Sequence, residues 1–434
     1  MGRRTARGRK RGSTTPGGLV LSADAQLLHA AIHECITLKI VITGASGFVG
    51  RQLVPQLRDA GADLLLIGRD ADLLRRTFPD MRVATYADLA EAGRGYDQLL
   101  HLAVLNNDQT AEAVEFTRVN VDLMVETLHA AKAAGIGHFV NVSSFHALEE
   151  GKSSPYARSK RAALAAAEEV DGIAATTLFL PAVHGARFSG KMGFLNGLPA
   201  LLQRPLFHLM AALAPTVHVG RIADWLTDRA DTAPREVFLS DGQEGHVVYH
   251  VLKRAVDYVF AFVILGLFWW ALLLVWLLVR FGSPGPGIFA QTRVGRWEEP
   301  FTCFKFRTMQ KDTVQAGTHE VSSHSVTPIG HFLRRTKVDE LPQAWNILRG
   351  EISLVGPRPG LPVQTELTAA RRVRDVYRAL PGISGLAQIS GIDMSDPEKL
   401  ARWDALYIAR RSLLLDLKII LRTALGSGQG DKTC

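Results

Sequence analysis

The sequence predicts an α/β protein: a doubly wound parallel sheet in its first part, an apolar segment of membrane length, then a second soluble part of different character. Three observations carry this prediction. Short β-branched runs alternate with helical stretches through residues 38–245, the pattern of a parallel sheet with crossover helices. A glycine-rich turn joins the first such run to the first helical stretch. The uncharged run Tyr258 to Val279, at ~1.5 Å rise per residue in one helix, would just reach across a ~30 Å hydrocarbon layer.

The chain has 434 residues and a formal net charge of +8, enough length for two or three domains. Much of the excess charge sits in residues 1–37, where Arg3, Arg4, Arg7, Arg9, Lys10 and Arg11 lie among Gly, Ser, Thr and Pro. Such a stretch cannot bury a core and reads as a basic, disordered tail, with weak docking on acidic lipid headgroups as the sharper reading. Only this tail favours nucleic acid, so no nucleic-acid partner is expected. Gly17 to His33 is interrupted by Asp24, Gln26 and His29 and lacks a sustained apolar run, so no secretory signal is expected. Cys35, Cys303 and Cys434 are scattered, without metal or disulfide spacing, in keeping with a reducing cytoplasm.

In order along the first part, Leu38 to Ile42 reads as a strand. It ends in Thr43-Gly44-Ala45-Ser46-Gly47-Phe48-Val49-Gly50, followed by the helical pattern Gln52 to Arg58. Strand, glycine turn and helix in that order point backbone N–H groups and a helix N-terminus at a pyrophosphate, the Rossmann-type arrangement. Gly44, Gly47, Phe48, Val49 and Gly50 are therefore candidate cofactor contacts. The second strand, Asp63 to Ile67, ends in Gly68-Arg69-Asp70. An arginine there suits the 2′-phosphate of NADP(H), whereas the following acid would suit the ribose of NAD, the alternative. Tyr96 to Ala103 reads as a buried strand, with Ala103 a further cofactor contact, and Gly137 to Ser144 as the next.

Ser144 closes that strand, and Tyr156 and Lys160 follow at i, i+4 on one helix face. A lysine beside the phenol would lower its pKa, so that Tyr156 could shuttle a proton while Ser144 bonds the substrate oxygen.

The set Thr43 to Gly50, His101 to Ala103, Ser143-Ser144, Tyr156 to Lys160 and Leu178 to Gly185 resembles the extended short-chain dehydrogenase/reductases that act as nucleotide-sugar epimerases, dehydratases and reductases. In that resemblance Phe179 stands where an arginine is usual, and Leu148 where a tyrosine is usual. The resemblance implies catalytic roles for Ser144, Tyr156 and Lys160. It also implies reduction of a 4-keto-6-deoxy sugar nucleotide or C4 epimerisation, with a non-catalytic nucleotide-sugar-binding module as the alternative.

In the second part, cations gather around the adjacent acids Asp339 and Glu340, a composition suited to phosphates and a divalent metal. Buried together those acids would repel, so a cation should lie near; an aspartate there can attack a diphosphate. Lys253-Arg254 with Asp257, Phe289 to Gly295, Lys305 to Met309, Thr327 to Leu341, Val355 to Pro359, Pro381 to Leu386 and Ser412 to Thr423 resemble, in order, the bacterial sugar transferases. These are monotopic phosphoglycosyl transferases that move sugar-1-phosphate from a nucleotide sugar to polyprenyl phosphate. The resemblance implies a small, mainly α catalytic domain over residues 283–434, with Asp339 as nucleophile and Glu340 as its acidic partner. Both acids are candidate Mg²⁺ ligands. Lys305, Arg307, Arg335, Lys337 and Arg358 are candidate phosphate contacts.

UDP-sugar, polyprenyl phosphate, membrane lipids and a second copy of the chain are the partners so implied. Both parts need cytoplasmic substrates, and Lys253, Arg254, Arg280, Arg293 and Arg296 flank the apolar run on both sides, without the asymmetry of a single span. Residues 246–282 are therefore expected to form a linker and a re-entrant helix in the bacterial inner membrane, with both soluble parts facing the cytoplasm. No proline breaks the run; Gly266, costing about 1 kcal/mol relative to Ala, is its weak point. Leu400 to Leu425 reads as one amphipathic run, either core or membrane-surface helix.

Overall fold

A computed structural model describes residues 37–106, 110–149, 151–228, 234–311, 313 and 325–426. The basic tail, Cys35 and Cys434 lie outside them. Seven parallel strands form one sheet. The first, β1 (Lys39–Thr43), leads through the glycine turn into α1 (Phe48–Asp59), then β2 (Asp63–Ile67), α2 (Ala71–Thr77) and β3 (Arg82–Ala84). The chain then returns to β1 and adds β4 (Gln98–His101), β5 (His138–Ser144), β6 (Ala174–Leu180) and β7 (Glu236–Phe238) on its other side. Ile40 faces Leu64 on one flank and Gln98 on the other. The order therefore reverses between β1 and β4, and the crevice beyond their carboxyl ends is where such sheets bind ligands.

Both faces of the sheet are covered. Ile40, Ile42, Leu64 and Leu66 pack with Leu53 and Leu57 of α1; the alternate residues Val41, Leu65 and Leu99 pack with Met124 and Leu128 of α3 (Leu123–Ala133). That two-sided burial explains why the strands read as continuous apolar runs. The fourth is shorter than Tyr96 to Ala103, because Tyr96 N–H closes a turn on the Gly93 carbonyl instead.

Helix α4 (Pro155–Glu168) crosses from β5 to β6, and α5 (Val247–Phe262) follows the last strand of the sheet. It continues through a widened turn, Val263–Leu267, and stops at Phe268. From there α6 (Trp269–Gly282) departs at 67°. The straight helix allowed by length is thus replaced by a bend one residue beyond the widened turn, a recognised cause of kinks where proline is absent. Among the described residues no single helix is long and apolar enough to cross a membrane, and the bent pair passes on length and composition. Val259, Phe262, Leu267, Trp269, Leu274 and Leu278 are exposed along it.

The foot of α5 is tied by polar groups. Lys253 Nζ donates to Asp416 Oδ2 (2.8 Å) and to the Val355 carbonyl (2.9 Å). The buried Asp257 accepts from Leu354 N–H (2.8 Å) and Ser353 Oγ (3.0 Å).

The second part opens with the antiparallel hairpin β8 (Ile288–Val294) and β9 (Pro300–Phe306). It continues through α7 (Pro328–Thr336) and closes with α8 (Pro397–Arg410) and α9 (Leu413–Ala424). Leu400 to Leu425 is therefore two helices, because Ser412 adopts an extended backbone and caps α9 through Leu415 N–H (3.4 Å). Arg371 donates two hydrogen bonds to Asp404 Oδ2 (2.9 and 2.7 Å), both side chains being buried.

The two soluble parts share a core. Phe145, Ala147 and Phe179 of the first are buried in one cluster with Leu406, Tyr407 and Ile408 of α8 and Leu415 of α9. Ion pairs ring it: Arg402 with Glu236 (2.8 Å through Nη2), Arg411 with Glu244 (2.7 Å), and Arg410 with Glu149.

Candidate active sites in the two parts

In the first part the glycine turn is dictated by close approach. Gly44 has φ +69°, and a Cβ there would lie 2.6 Å from the Ala103 backbone N. A Cβ on Gly50 would lie 2.5 Å from Ala45 Cα and carbonyl O. Only glycine allows β1, β4 and α1 to converge in this way. Gly47 caps α1, and Phe48, Val49 and Gly50 form its first turn, whose early N–H groups have no intrahelical partner. Ala103, two residues beyond the end of β4, lies across from Gly44. Asp70 spends its carboxylate on Leu73 N–H (2.8 Å), capping α2, while Arg69 is exposed at the end of β2.

Ser144 ends β5, and its Oγ accepts from His146 N–H (3.3 Å). Pro155 at the first position and a Ser154 cap, accepting from Ala157 N–H (3.2 Å), start α4. Tyr156 and Lys160 are both buried on it. Lys160 Nζ donates to the Val142 carbonyl (3.0 Å), which ties α4 to β5 two residues before Ser144. Burial pulls Lys160 down from its ordinary value to about 8. His101, at the end of β4, is lowered to about 3 by burial and by the Lys160 charge, and its Nδ1 lies 3.0 Å from Thr43 Oγ1.

Sequence reasoning passed over Asn120. It sits buried in a widened helical turn, Arg118–Asp122. Its amide accepts from Leu105 N–H (2.8 Å) and donates to Ser159 Oγ (3.0 Å), linking the loop after β4 to α4. A single Asn in a helical pattern carries no signal of that kind.

In the second part α7 ends at Lys337, whose left-handed backbone (φ 58°) turns the chain into the short helix Val338–Gln343. A non-glycine residue in that region costs roughly 1–2 kcal/mol. The turn places Asp339 and Glu340, both buried, against β9. Lys305 Nζ lies 2.7 Å from Glu340 Oε1, and Arg358 Nη2 3.4 Å from the same oxygen. Burial opposes the Glu340 charge, but Lys305 and Arg358 outweigh it and hold the carboxyl well below its usual range. Asp339 is driven the other way, up from the ordinary aspartate value, by burial and by the adjacent Glu340 charge. Among the described residues no hydrogen bond is made to its carboxylate. One acid is thus fixed as an anion and the other is left available.

A narrow cleft beside the pair is lined by Arg293, Cys303, Lys305, Glu340, Gln343 and Arg358. Two sequence candidates stand apart from it. Arg307 donates to the carbonyls of Pro284, Val279 (3.1 Å) and Ser283 (2.7 Å), so it closes the end of α6 rather than facing a phosphate. Arg335 is exposed, and its neighbour Arg334 is the one whose charge acts on Asp339. Arg334 also donates to Thr308 Oγ1 (3.0 Å). Lys337 contributes positive charge to Glu340. Among the described residues no group of three or more metal-ligating side chains occurs. Asp339 and Glu340 fit Mg²⁺ in the limited sense of one or two carboxylates, with substrate phosphates and waters completing the shell.

A dinucleotide-type crevice with a Tyr-Lys helix thus adjoins, in one chain, a buried acid pair in a cationic cleft. Residues 248–428 match the family model described as Bacterial sugar transferase, and residues 40–204 that of the NAD dependent epimerase/dehydratase family. A UDP-glucose:undecaprenyl-phosphate glucose-1-phosphate transferase of Caulobacter vibrioides is 36% identical over 214 residues, 47% of this chain and 80% of that one. The transferase of the same name from Escherichia coli is 40% identical over 190 residues, 41% of this chain and 40% of that one. Among solved structures, the Bordetella bronchiseptica enzyme WbmG in complex with NAD is 18% identical, with TM-score 0.39, covering 52% of this chain and 79% of that chain. The chain belongs to the bacterial sugar transferase family, with an epimerase/dehydratase-type domain ahead of the transferase domain.

Proposed function

We propose that residues 283–434 transfer sugar-1-phosphate from a UDP-sugar to undecaprenyl phosphate. The Asp339 carboxylate attacks the phosphorus that bears the sugar; the bond to UMP breaks and UMP leaves with its electron pair. The acceptor phosphate oxygen then attacks the same phosphorus and releases Asp339. The observation that carries this reading is the split of the acid pair: Lys305 and Arg358 engage Glu340 directly, while among the described residues no hydrogen bond is made to the Asp339 carboxylate. Arg293, Arg358 and Lys305 face the diphosphate. Mg²⁺, when bound at Asp339 and Glu340, would neutralise diphosphate charge.

Residues 38–245 bind NADP(H) across Gly44, Gly47 and Ala103, with Arg69 toward the 2′-phosphate, since Asp70 is committed to its helix cap. They reduce a 4-keto-6-deoxy sugar nucleotide, with Tyr156 giving the proton, Lys160 supplying charge and Ser144 orienting the oxygen; C4 epimerisation uses the same residues. The second reading is a binding module without turnover, supported by Phe179 standing where the resemblance has an arginine. Residues 246–282 form a re-entrant pair in the inner membrane that keeps both soluble parts on the cytoplasmic side; the 67° bend and exposed apolar side chains support this. Incubation with a panel of UDP-sugars, NADPH and undecaprenyl phosphate tests both halves. UMP release that survives Asp339→Asn would sink the transferase assignment, and a panel without NADPH oxidation or isomerised sugar would favour the binding module.

A further inference from the structure

The turn that links Ser144 to Tyr156 is held from the other half of the chain. Phe145–Leu148 forms a single tight helical turn directly after Ser144. His146 stands edge-on to Tyr156, ring centroids 6.1 Å apart. Phe145 and Ala147 are buried in the cluster that contains Leu406 and Ile408 of α8. Arg410, the last residue of α8, pairs with Glu149, and its guanidinium lies 5.9 Å from the centroid of the Phe145 ring.

These contacts are not ordinary surface pairs, because the Arg410 and Glu149 side chains are only 16% and 21% exposed. A planar guanidinium that meets a carboxylate with its edge and an aromatic ring with its face fixes both. From its own part the loop is held by Arg161, which donates to the carbonyls of Glu149 (3.1 Å) and Lys152 (2.7 Å). Phe179 belongs to the same cluster and pairs in register with Ser143. An unpaired arginine at this fully buried position would carry a large desolvation cost, so the transferase helices account for the phenylalanine.

We propose that Arg410 is a positioning residue for the first active site: by clamping Phe145 and Glu149 it sets the turn that carries Ser144 and His146 against Tyr156. The sugar-modifying site is therefore complete only when α8 of the transferase part is docked on it. This rests on the reading of Ser144 and Tyr156 as catalytic.

The test uses the full chain and three proteins: wild type, Arg410→Gln and Arg410→Lys. In Arg410→Gln, kcat for NADPH-dependent turnover is expected to fall roughly 10- to 100-fold with KM for NADPH little changed, the mark of misplaced groups rather than lost binding. Arg410→Lys keeps a cation for Glu149 and for the ring, and is expected to recover part of the loss. Hydrogen exchange of the amides of residues 145–149 should speed up roughly tenfold or more in Arg410→Gln while β4 stays protected. A kcat within twofold of wild type together with unchanged exchange would overturn the proposal. If the wild type turns over no sugar, the catalytic reading fails separately. Exchange then decides the clamp: faster exchange at residues 145–149 supports it, and unchanged exchange removes it.

Discussion

Lys305 Nζ lies 2.7 Å from Glu340 Oε1, and this contact gives two adjacent buried acids different electrostatic surroundings. Removing the nucleophile and removing its anionic neighbour should therefore have different signatures. Asp339→Asn is expected to lower UMP release roughly 10³-fold or more, and to abolish any phosphosugar adduct seen by intact-protein mass spectrometry. Glu340→Gln should retain an adduct while slowing turnover.

Asp339 is raised by burial and by Glu340, and it must be ionised to attack. Transferase kcat/KM should therefore fall with decreasing pH at a point above the ordinary aspartate value. Glu340→Gln removes the repelling charge and should move that acid limb to lower pH. A limb that stays in place or moves upward in a pH-rate profile would count against the coupling.

Lys160 sits near 8 because of burial. Its positive charge is present below that pH and lost above it, so NADPH-dependent turnover should decline as pH rises through about 8. Lys160→Met should be low throughout and lack that alkaline limb, as followed by NADPH absorbance.

Arg371 and Asp404 form a buried ion pair in which two N–H groups of the arginine donate to one carboxylate oxygen. Arg371→Met leaves a buried carboxylate without its counter-charge and is expected to cost about 3–5 kcal/mol in denaturant unfolding, whereas Arg371→Met with Asp404→Leu should recover much of it.

The bend between α5 and α6 is expected to return the chain to the face it entered from. Cysteines introduced one at a time at Val247 and Ser283, in a background with Cys35 and Cys434 replaced by serine and the buried Cys303 kept as an unlabelled control, should each react with a membrane-impermeant reagent from the cytoplasmic face only. Labelling from opposite faces would contradict the re-entrant pair.

Much of the first site was legible because its signals are local. Gly44, Gly47 and Gly50 follow a strand and open a helix, and Tyr156 and Lys160 share one helical face. The second site was legible in its acids and in Lys305, Lys337 and Arg358, which gather at Glu340, and not in the choice of Arg307 and Arg335. Arg334 and Arg335 differ by ~100° around a helix, and the left-handed Lys337 that fixes the phase leaves no local pattern. Arg307 reads as a phosphate contact until its partners, the carbonyls at the end of α6, are seen. Asn120 and Arg410 act across long stretches of chain, where periodicity says nothing. The bend at Phe268 lies two residues beyond Gly266, the weak point of the run, and the widened turn Val263–Leu267 that contains Gly266 supplies it; a Cβ at Gly266 would meet nothing within 4 Å.

The cluster that buries Phe145 and Phe179 against α8 and α9 also has a consequence for gene architecture. A chain cut after residue 245 would leave those two rings facing water, a loss of roughly 1.5–3 kcal/mol each, with Glu149 and Glu236 stripped of their arginines. Two separately encoded halves would have to find one another before either surface was covered. Fusion makes their stoichiometry one to one at every expression level.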